Sequence, residues 1–258
     1  MTHSMCLIGI AYRAHAKHDL VLAANRDEFH DRPSAAAAPW TEHPQIFGGR
    51  DLRQKGSWLA VSTAGRLAAV TNVRRMVPPD PSAPSRGRLV AEFLQSGAGA
   101  AEFARELKEQ AENYSGFNLL LYDGAELRYV TNAPEFRDEA VTPGIHAVSN
   151  AALNTPWPKS RRLREALTAW SADRWESFTP LFKALADRAP GADAELPDTG
   201  IGRPLEKMLS APFIVSPNYG TRCSTVVTLG GGRVDFAERR FDRGGLDAGK
   251  TERQLKLT

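Results

Sequence analysis

MCLIGIAY at residues 5–12 and LVLAANRDEF at residues 20–29 are the two segments that decide the fold. Residues 6–12 are apolar and bounded by polar residues, which is typical of a short β-strand, and residues 20–24 form a second one. Because only a short polar loop joins them, the two segments predict an antiparallel hairpin. Cys6, one of only two cysteines in the chain, stands at the start of the first strand.

The rest of the chain alternates between hairpins and pairs of helices. Apolar runs bounded by turns predict strands at residues 58–62, 66–73, 117–122, 126–131, 144–149, 213–216, 224–229 and 233–241. Apolar residues at helical spacing predict helices at residues 87–95, 100–112, 156–170 and 179–186. Glycine and proline predict turns or loops at residues 48–56, 75–85 and 190–204, and the charged residues 242–258 predict a partly loose tail.

Runs of strands separated by runs of helices indicate two antiparallel sheets with helices packed outside them. The sequence therefore predicts an α+β fold, a four-layer αββα sandwich, formed by one domain over residues 1–258.

The composition excludes several classes of protein. Lys and Arg number 33 against 30 Asp and Glu, a net charge of +3 that is too balanced to indicate nucleic-acid binding. No apolar stretch approaches the ~20 residues that a transmembrane helix needs. Two distant cysteines form no disulfide framework, so a reduced, cytoplasmic location is expected. The six histidines lack metal-ligand spacing, and no metal site is expected.

Cys6 is the first candidate for chemistry. A free thiol has a pKa of ~8.5 and needs help to become a nucleophilic thiolate near neutral pH. If the mature chain begins at Cys6, its α-amine, with a pKa of ~7.7–8.0, can act as a general base beside the thiol. If the preceding residues stay attached, that mechanism is closed. The alternative is a small buried residue in a strand, the common fate of a cysteine.

A polar tetrapeptide at the end of the second strand is the next candidate. The sequence Asn25-Arg26-Asp27-Glu28 reads either as a solvated charged turn or as a functional group of residues. In the functional interpretation, Arg26 lowers the pKa of a neighbouring thiol or binds a carbonyl, and Asp27 orients the α-ammonium.

Three asparagines at strand positions and one arginine complete the set. Asn72 and Asn150 are candidates to donate hydrogen bonds to an oxyanion, and local turn or cap bonding is the alternative, preferred for Asn118. Arg222 precedes a strongly apolar strand and is either a second anion-binding group or a charge at the rim. Cys223 beside it is interpreted as a core residue.

Several blocks together resemble the NRDE family, also called the transport-and-Golgi-organisation family, over residues 5–241. The blocks are MCLIGIAY, LAANRDEFHDRP, FGGRDLRQKGSWLAVSTAGRLAAVTNVR, SRGRLV, GIHAVSNAALNTPWPKS and SPNYGTRCSTVV. The family usually begins Met-Cys, so residues 1–4 depart from it and are interpreted as a possible non-native extension.

The resemblance implies an N-terminal-nucleophile (Ntn) hydrolase-like fold, with a layout similar to that of cysteine amidases such as the choloylglycine hydrolases. Carried over residue by residue, it implies that Cys6 is the nucleophile and that Arg26 and Asp27 are the polar pair. Asn72 and Asn150 would then be the oxyanion donors, and Arg222 a contact for substrate or anion.

Two functions remain open at this point. One is binding or trafficking of haem or a related hydrophobic, anionic, lipid-derived metabolite, since family members have been implicated in handling such molecules. Arg26, Arg74 and Arg222 would then meet its acidic groups. The other is hydrolysis of linear, non-peptide amide C–N bonds by Cys6, which requires no cofactor. In both cases the expected partner is a small molecule, and only the second makes the protein an enzyme.

Overall fold

The computed structural model describes residues 5–74, 80, 82–173 and 177–258. Residues 1–4, the possible extension, and most of the first half of the predicted loop at 75–85 lie outside the described residues. The helices are α1 (Gly87–Gln95), α2 (Ala100–Lys108), α3 (Pro158–Ala172), α4 (Thr179–Leu185) and α5 (Arg203–Leu209). The strands are β1 (Met5–Tyr12), β2 (Leu20–Phe29), β3 (Ser34–Pro39), β4 (Ile46–Asp51), β5 (Leu59–Ser62), β6 (Leu67–Asn72), β7 (Phe117–Tyr122), β8 (Leu127–Thr131), β9 (Arg137–Ala140), β10 (Gly144–Val148), β11 (Tyr219–Gly230), β12 (Arg233–Phe241) and β13 (Asp247–Lys256).

The strands form two antiparallel sheets. The first has the order β10-β1-β2-β11-β12-β13, and the second has the order β3-β4-β5-β6-β7-β8-β9. The predicted hairpin of β1 and β2 is present. β2 also pairs with β11, so it lies between β1 and β11. The candidate nucleophile therefore lies at the start of an interior strand of the first sheet, one strand in from the edge.

Three apolar layers account for the packing. One cluster fills the space between the sheets, with Ile8, Ile10 and Leu22 from the first sheet against Phe47 and Leu67 from the second. A second cluster joins α1 and α2 to the outer face of the second sheet, and a third joins α3 and α4 to the outer face of the first. The predicted four-layer αββα sandwich is confirmed. No helix in the described ranges has the length and apolar character that a bilayer span requires.

Helix α3 lies along β1 and runs in the same direction. A Cβ atom at Gly9 would lie only 2.5 Å from Leu167 Cδ1 and 2.7 Å from Leu163 Cγ, so the missing side chain lets the helix approach the strand. Beyond the end of β1, His15 stacks on Trp170 near the end of α3, with ring centroids 5.0 Å apart. The start of α3 therefore lies at the same end of the sheet as Cys6.

The structure corrects several predicted boundaries. β2 continues through the polar tetrapeptide to Phe29, and residues 48–51 of the predicted turn belong to β4. The predicted loop at 190–204 contains a short 3-10 turn and the first residues of α5. The tail predicted to be partly loose instead forms β13, which pairs with β12 from Arg233 to Phe241. β13 is an edge strand, and its largely exposed charged side chains hid it from an apolar pattern.

Candidate active site

The polar tetrapeptide is buried and divided between two faces of the first sheet. Asn25, Arg26, Asp27 and Glu28 are 1%, 4%, 0% and 5% exposed, so the solvated-turn interpretation is wrong. Side chains alternate along a strand, and Leu22 and Ala24 belong to the cluster between the sheets, whereas Val21 and Ala23 face the helices. Arg26 and Glu28 therefore face the second sheet, and Asn25 and Asp27 face the helical layer.

Arg26 stands between the two cysteines of the chain. It pairs with Cys6 of β1 on one side and with Cys223 of β11 on the other, so the three residues form one row across three strands. Cys6 and Cys223 are free thiols and buried, separated by the full width of β2. Burial raises the pKa of Cys223 well above its usual value, which fits the predicted core role.

The Cys6 thiol is held in its protonated form. Burial, together with the Asp27 carboxylate, raises its pKa to about 12, while Arg26 and a backbone hydrogen bond from Asp27 act in the opposite direction. The residue is 7% exposed. A nucleophilic thiolate at this position therefore needs a base that removes the proton.

The guanidinium group of Arg26 is fixed by an aromatic ring and two carboxylates. Its Cζ atom lies 4.3 Å from the centroid of the Trp58 ring, and Nη2 lies 3.7 Å from Glu28 Oε2 and 4.0 Å from Asp51 Oδ2. Its Nη1 atom is buried and has no hydrogen-bond partner in the described part of the chain. Arg26 thus offers an oriented donor next to Cys6 in the space between the sheets.

Arg86 adds a second guanidinium group that the sequence-based prediction missed. It precedes α1, donates from Nη1 to the Gly116 carbonyl at 3.1 Å and interacts electrostatically with Cys6 and Glu28. Burial lowers its pKa to about 10. The block SRGRLV that contains it was used for the family resemblance, but no chemical role was assigned to the arginine.

Asp27 occupies the opposite side of the sheet. Its Oδ1 atom accepts a hydrogen bond from Thr221 Oγ1 at 2.6 Å, and burial raises the pKa of its carboxyl group to about 6. The charge of Lys159 is the strongest influence against this shift. Asn25 on the same face has a purely structural set of bonds, from Nδ2 to the Leu185 and Pro212 carbonyls at 2.8 and 2.9 Å.

Lys159 is the second charged residue that the sequence-based prediction missed. It is the second residue of α3 and is 1% exposed. Its strongest charge interactions are with Asp27, Arg74 and Cys6, which places it at the same end of the sheet as the thiol. The signal was present in PWPKS, where a lysine follows Pro158 at a helix start, an unfavourable position for a cation.

The two candidate oxyanion donors are joined to each other. Asn150 Nδ2 donates to the Asn72 carbonyl at 2.8 Å, and its Oδ1 accepts from Ser149 Oγ at 3.1 Å. Ser149 Oγ also donates a hydrogen bond to the Cys6 carbonyl at 2.8 Å. The structure therefore brings Asn72 and Asn150 to the end of the sheets where Cys6 lies, and their role towards an oxyanion stays a prediction.

Asn118 holds this end of the structure together. Its Nδ2 atom donates to Thr71 Oγ1, and to the carbonyls of Ser149 and Ala151 at 3.2 and 3.0 Å, while its Oδ1 accepts from Tyr129 Oη at 2.7 Å. These bonds reach across 31 residues or more of sequence, except the one to Tyr129, so the preferred interpretation of local turn bonding is wrong. Asn118 positions the segment that carries Asn150.

Arg74 and Arg222 are already engaged with other groups. Arg74 Nη1 lies 2.6 Å from Glu206 Oε2, with side chains 2% and 1% exposed, and its Cζ lies 4.7 Å from the Trp157 ring centroid. Arg222 Nη1 donates to the Phe29 carbonyl at 3.0 Å and more weakly to two neighbouring carbonyls. Arg222 lies at a bulge in β11 and closes the end of β2, and its contact with a substrate or anion stays a prediction.

The described residues contain no cluster of three or more His, Cys, Asp or Glu side chains that could hold a metal ion. A groove of about 450 Å³ lies elsewhere, on the outer face of the first sheet between α4 and the strands β12 and β13. Two aromatic rings and two arginines line part of it, namely Phe178, Phe182, Arg239 and Arg253.

Known proteins similar to this chain fall into two groups. The family described as Transport and Golgi organisation 2 matches residues 5–243. The Transport and Golgi organization protein 2 homologs of Homo sapiens and Bos taurus are each 35% identical to this chain, over 238 and 237 residues. Each match covers 85% of this chain and 86% of the homolog. Among solved structures, a mutant of conjugated bile acid hydrolase from Clostridium perfringens has a TM-score of 0.51 at 9% identity, covering 98% of this chain and 92% of that one. This second likeness shows a shared Ntn-hydrolase-like fold.

Proposed function

Because the chain belongs to the Transport and Golgi organisation 2 family and has an Ntn-hydrolase-like fold, we propose that it hydrolyses linear, non-peptide amides with Cys6 as the nucleophile. The observation that carries the proposal is the arrangement around Cys6. The thiol lies at the start of an interior strand beside the oriented guanidinium of Arg26, with Asp27 and Asn150 at the same end of the sheets.

In the proposed reaction, Arg26 between the sheets stabilises the amide oxygen, whereas Asp27 on the helical side holds the base. The Cys6 thiolate attacks the amide carbonyl carbon, and the oxygen becomes negatively charged. The unpartnered Nη1 of Arg26 and the amide of Asn150 donate to this oxygen. The C–N bond breaks, the amine leaves with a proton, and water hydrolyses the thioester to restore the thiol.

Proton removal is the step that limits such a thiol, since its pKa lies near 12. In a chain that begins at Cys6, the α-amine supplies the base, and Asp27, whose backbone pairs with the residue preceding Cys6, is placed to hold the ammonium form. This part of the proposal requires removal of the five preceding residues.

Mass spectrometry of the intact protein tests the proposal. We expect a chain produced to begin at Cys6 to gain the mass of the acyl group when mixed with N-acyl amides of fatty acids, and to release free amine. Cys6→Ala should give neither product, while Cys223→Ala, which removes the other cysteine, should give both. Absence of the acyl adduct with every amide and every activated ester tried would contradict the proposal.

A second candidate function, binding of haem or a related hydrophobic anion, is favoured by the groove beside α4. The rings of Phe178 and Phe182 can contact a flat apolar ligand, and Arg239 can meet a carboxylate. The Cζ atom of Arg239 lies 4.1 Å from the Phe182 ring centroid, so one charge is already aligned with the apolar wall.

Titration with haem tests this candidate. We expect a saturable change in the Soret band with the full chain, weakened about tenfold by Arg239→Glu, which places a negative charge where a propionate would bind. Cys6→Ala should leave the titration unchanged because Cys6 lies outside the groove. Without a saturable change, the groove is no haem site.

A further inference from the structure

Trp58 reaches the candidate site from the second sheet. It directly precedes β5, and its ring packs against the apolar cluster between the sheets, the space that Arg26 enters from β2. The Arg26 Cζ atom lies 4.3 Å from the centroid of this ring, within the range of a cation–π contact. Because Arg26 is 4% exposed, the contact is largely desolvated, the condition in which it is strongest. A ring of one sheet thus holds a guanidinium group of the other.

A glycine makes room for the Trp58 ring. A Cβ atom at Gly49 of β4 would lie 2.3 Å from two atoms of the ring, so the ring occupies space that a side chain would otherwise fill. Ser57, the preceding residue, is 2% exposed and donates from Oγ to the Gly49 carbonyl at 2.8 Å. The ring is therefore fixed on β4 independently of its contact with Arg26.

The guanidinium group of Arg26 lies near two carboxylates without hydrogen bonding to either. Its Nη2 atom is 3.7 Å from Glu28 Oε2 and 4.0 Å from Asp51 Oδ2, and both distances exceed that of a hydrogen bond. Arg32 contacts the same two carboxylates, at 3.7 and 2.6 Å. The Nη1 atom of Arg26 is buried, and no described residue accepts a hydrogen bond from it. A buried donor of this kind points to an acceptor that a ligand brings.

Cys6 is the cross-strand neighbour of this arginine. The two residues lie directly opposite each other on β1 and β2, so their side chains share the face between the sheets, with Cβ atoms about 4.5–5.5 Å apart in such pairs. A molecule that reacts with the Cys6 sulfur can therefore present an oxygen to the guanidinium group of Arg26.

We propose that Trp58 is a positioning residue that holds the Arg26 guanidinium group so that Nη1 stays available to an oxygen of the molecule reacting at Cys6. The inference deepens the proposed hydrolysis and rests on it for its catalytic role. Without the ring, the guanidinium group can turn towards Glu28 or Asp51 and form a bidentate pair, which engages two of its nitrogens. The ring keeps this strong but unproductive pair from forming.

The alternative is that Trp58 only fills space between the sheets. In that case a large apolar side chain in its place would change the stability of the protein but not the way Cys6 discriminates between reagents. The two roles therefore differ in the selectivity of the thiol.

Alkylation of Cys6 by two reagents of nearly equal size separates the roles. Iodoacetate carries a carboxylate that Arg26 can bind, and iodoacetamide carries a neutral amide in its place. Both react with the same thiolate, so the ratio of their rates does not depend on the fraction of thiol that is ionised. The Cys6 peptide of the full 258-residue chain is quantified by mass spectrometry at about pH 9, and the same ratio in urea is the reference for the unfolded chain.

We expect folded wild-type protein to give a higher ratio of iodoacetate to iodoacetamide reaction than the unfolded chain. Trp58→Leu should lower the folded ratio about threefold or more, because the lost cation–π contact no longer orients the guanidinium group. Arg26→Gln, which removes that group, should lower it at least as far.

Three further variants test the cause. Trp58→Phe keeps a ring against the guanidinium group and should keep most of the wild-type ratio. Gly49→Ala removes no functional group but displaces the ring, and it should lower the ratio. Trp40→Leu is the matched control, since Trp40 also lies 4.3 Å from an arginine, Arg50, but packs in the cluster on the helical side of the second sheet. It should keep the wild-type ratio.

A folded Trp58→Leu protein with the wild-type ratio, or a Trp40→Leu protein that loses the ratio equally, would overturn the inference. If Trp58→Leu does not fold, Gly49→Ala and Trp58→Phe decide. A ratio that Gly49→Ala lowers and Trp58→Phe keeps supports the inference, and a wild-type ratio in Gly49→Ala overturns it.

The ratio needs no substrate, so its outcome is separate from that of hydrolysis. A Trp58-dependent ratio without an acyl adduct from any amide or activated ester would support the positioning role and reject hydrolysis. Acyl adduct formation at the wild-type rate by Trp58→Leu, with an unchanged ratio, would do the reverse. If both proposals hold, Trp58→Leu in a chain that begins at Cys6 should slow acylation at saturating amide and leave the half-saturating concentration nearly unchanged, because the oxyanion develops only in the transition state.

Discussion

At the scale of single residues, burial decides the chemistry more than residue type does. Aspartate and lysine lie on the surface in most proteins, yet here Asp27 and Lys159 are each at most 1% exposed. Burial moves the pKa of the acid up to about 6 and that of the base down to about 8, so the two values approach each other across neutral pH. Because the two pKa values are close, moving a proton between an acid and a base of this kind changes the free energy little.

Because the carboxyl group of Asp27 is buried, we expect its removal to stabilise the folded protein by an amount that depends on pH. Because its pKa is raised from 3.8 to about 6 in the folded state, the folded protein holds the proton more tightly, and stability is lost as the pH rises through this window. We expect Asp27→Asn, whose oxygen can still accept from Thr221, to be more stable than wild type by on the order of 2 kcal/mol at pH 7 and by little at pH 4. Urea unfolding at the two pH values measures the difference.

The exposed Asp31 supplies the control for this comparison. Asp31→Asn should change stability equally at both pH values, because its side chain stays in solvent. An Asp27→Asn effect that is the same at pH 4 and pH 7 would show that the carboxyl group is not the cause.

At the scale of elements, the contact between α3 and β1 positions Lys159 relative to Cys6. The side chain added by Gly9→Ala would overlap Leu163 and Leu167. We expect it to push the helix away and to destabilise the protein by about 1–3 kcal/mol, the usual range for overpacking. Equilibrium unfolding in urea measures this loss.

A second glycine in the chain tests whether the effect is local. Gly97 has no atom within 4 Å of the position of an added Cβ and no positive φ, so Gly97→Ala should be close to neutral. Equal effects of the two substitutions would contradict the packing argument.

Elements with a clear apolar period were predictable from the sequence, and elements without one were not. The hairpins β1–β2, β7–β8 and β11–β12 carry buried apolar runs that mark them. β3 has the sequence SAAAAP and β9 the sequence RDEA, in which small or exposed side chains give no alternation. Both are edge strands of the second sheet, stabilised mainly by their neighbour's backbone.

The sequence singles out residues that the structure brings to one end of the sheets, but it does not show on which face of the sheet each side chain lies. Cys6 stands out as one of only two cysteines, at the start of the first strand, and Arg26 and Asp27 stand out as polar residues at the end of an apolar strand. The sequence alone does not show that β2 continues through them, so it could not reveal that Arg26 and Asp27 face different layers. Arg86 and Lys159 lie more than 50 residues away, and only the packing of α1 and α3 brings them to Cys6.

At the scale of the whole molecule, a buried ion pair ties the layers together at the candidate site. Arg74 follows β6 of the second sheet, and Glu206 belongs to α5. Glu206 also accepts hydrogen bonds from the Thr199 backbone and hydroxyl at 2.8 and 2.6 Å. The pair thus anchors the segment that covers Lys159.

A double-mutant cycle measures this link. Arg74→Met leaves the Glu206 carboxylate buried without its partner, and we expect a loss of about 3 kcal/mol in urea unfolding. Glu206→Gln keeps the acceptor for Thr199 and removes the charge, so the double variant should recover at least about 1 kcal/mol of that loss. Purely additive effects would indicate that the two charges do not depend on each other.

The division of the tetrapeptide between two faces means that the parity of residue numbers specifies the chemistry of this protein. Along β1 and β2, even positions enter the space between the sheets and odd positions enter the helical layer. Inserting or deleting one residue within 20–26 would move the arginine among the helices and the aspartate between the sheets, although the composition would hardly change. One residue added to the connecting loop at 13–19 would leave both frames intact. Comparing a one-residue insertion just before Leu20 with one just after it would therefore separate the effect of exchanging the two faces from the effect of an added residue.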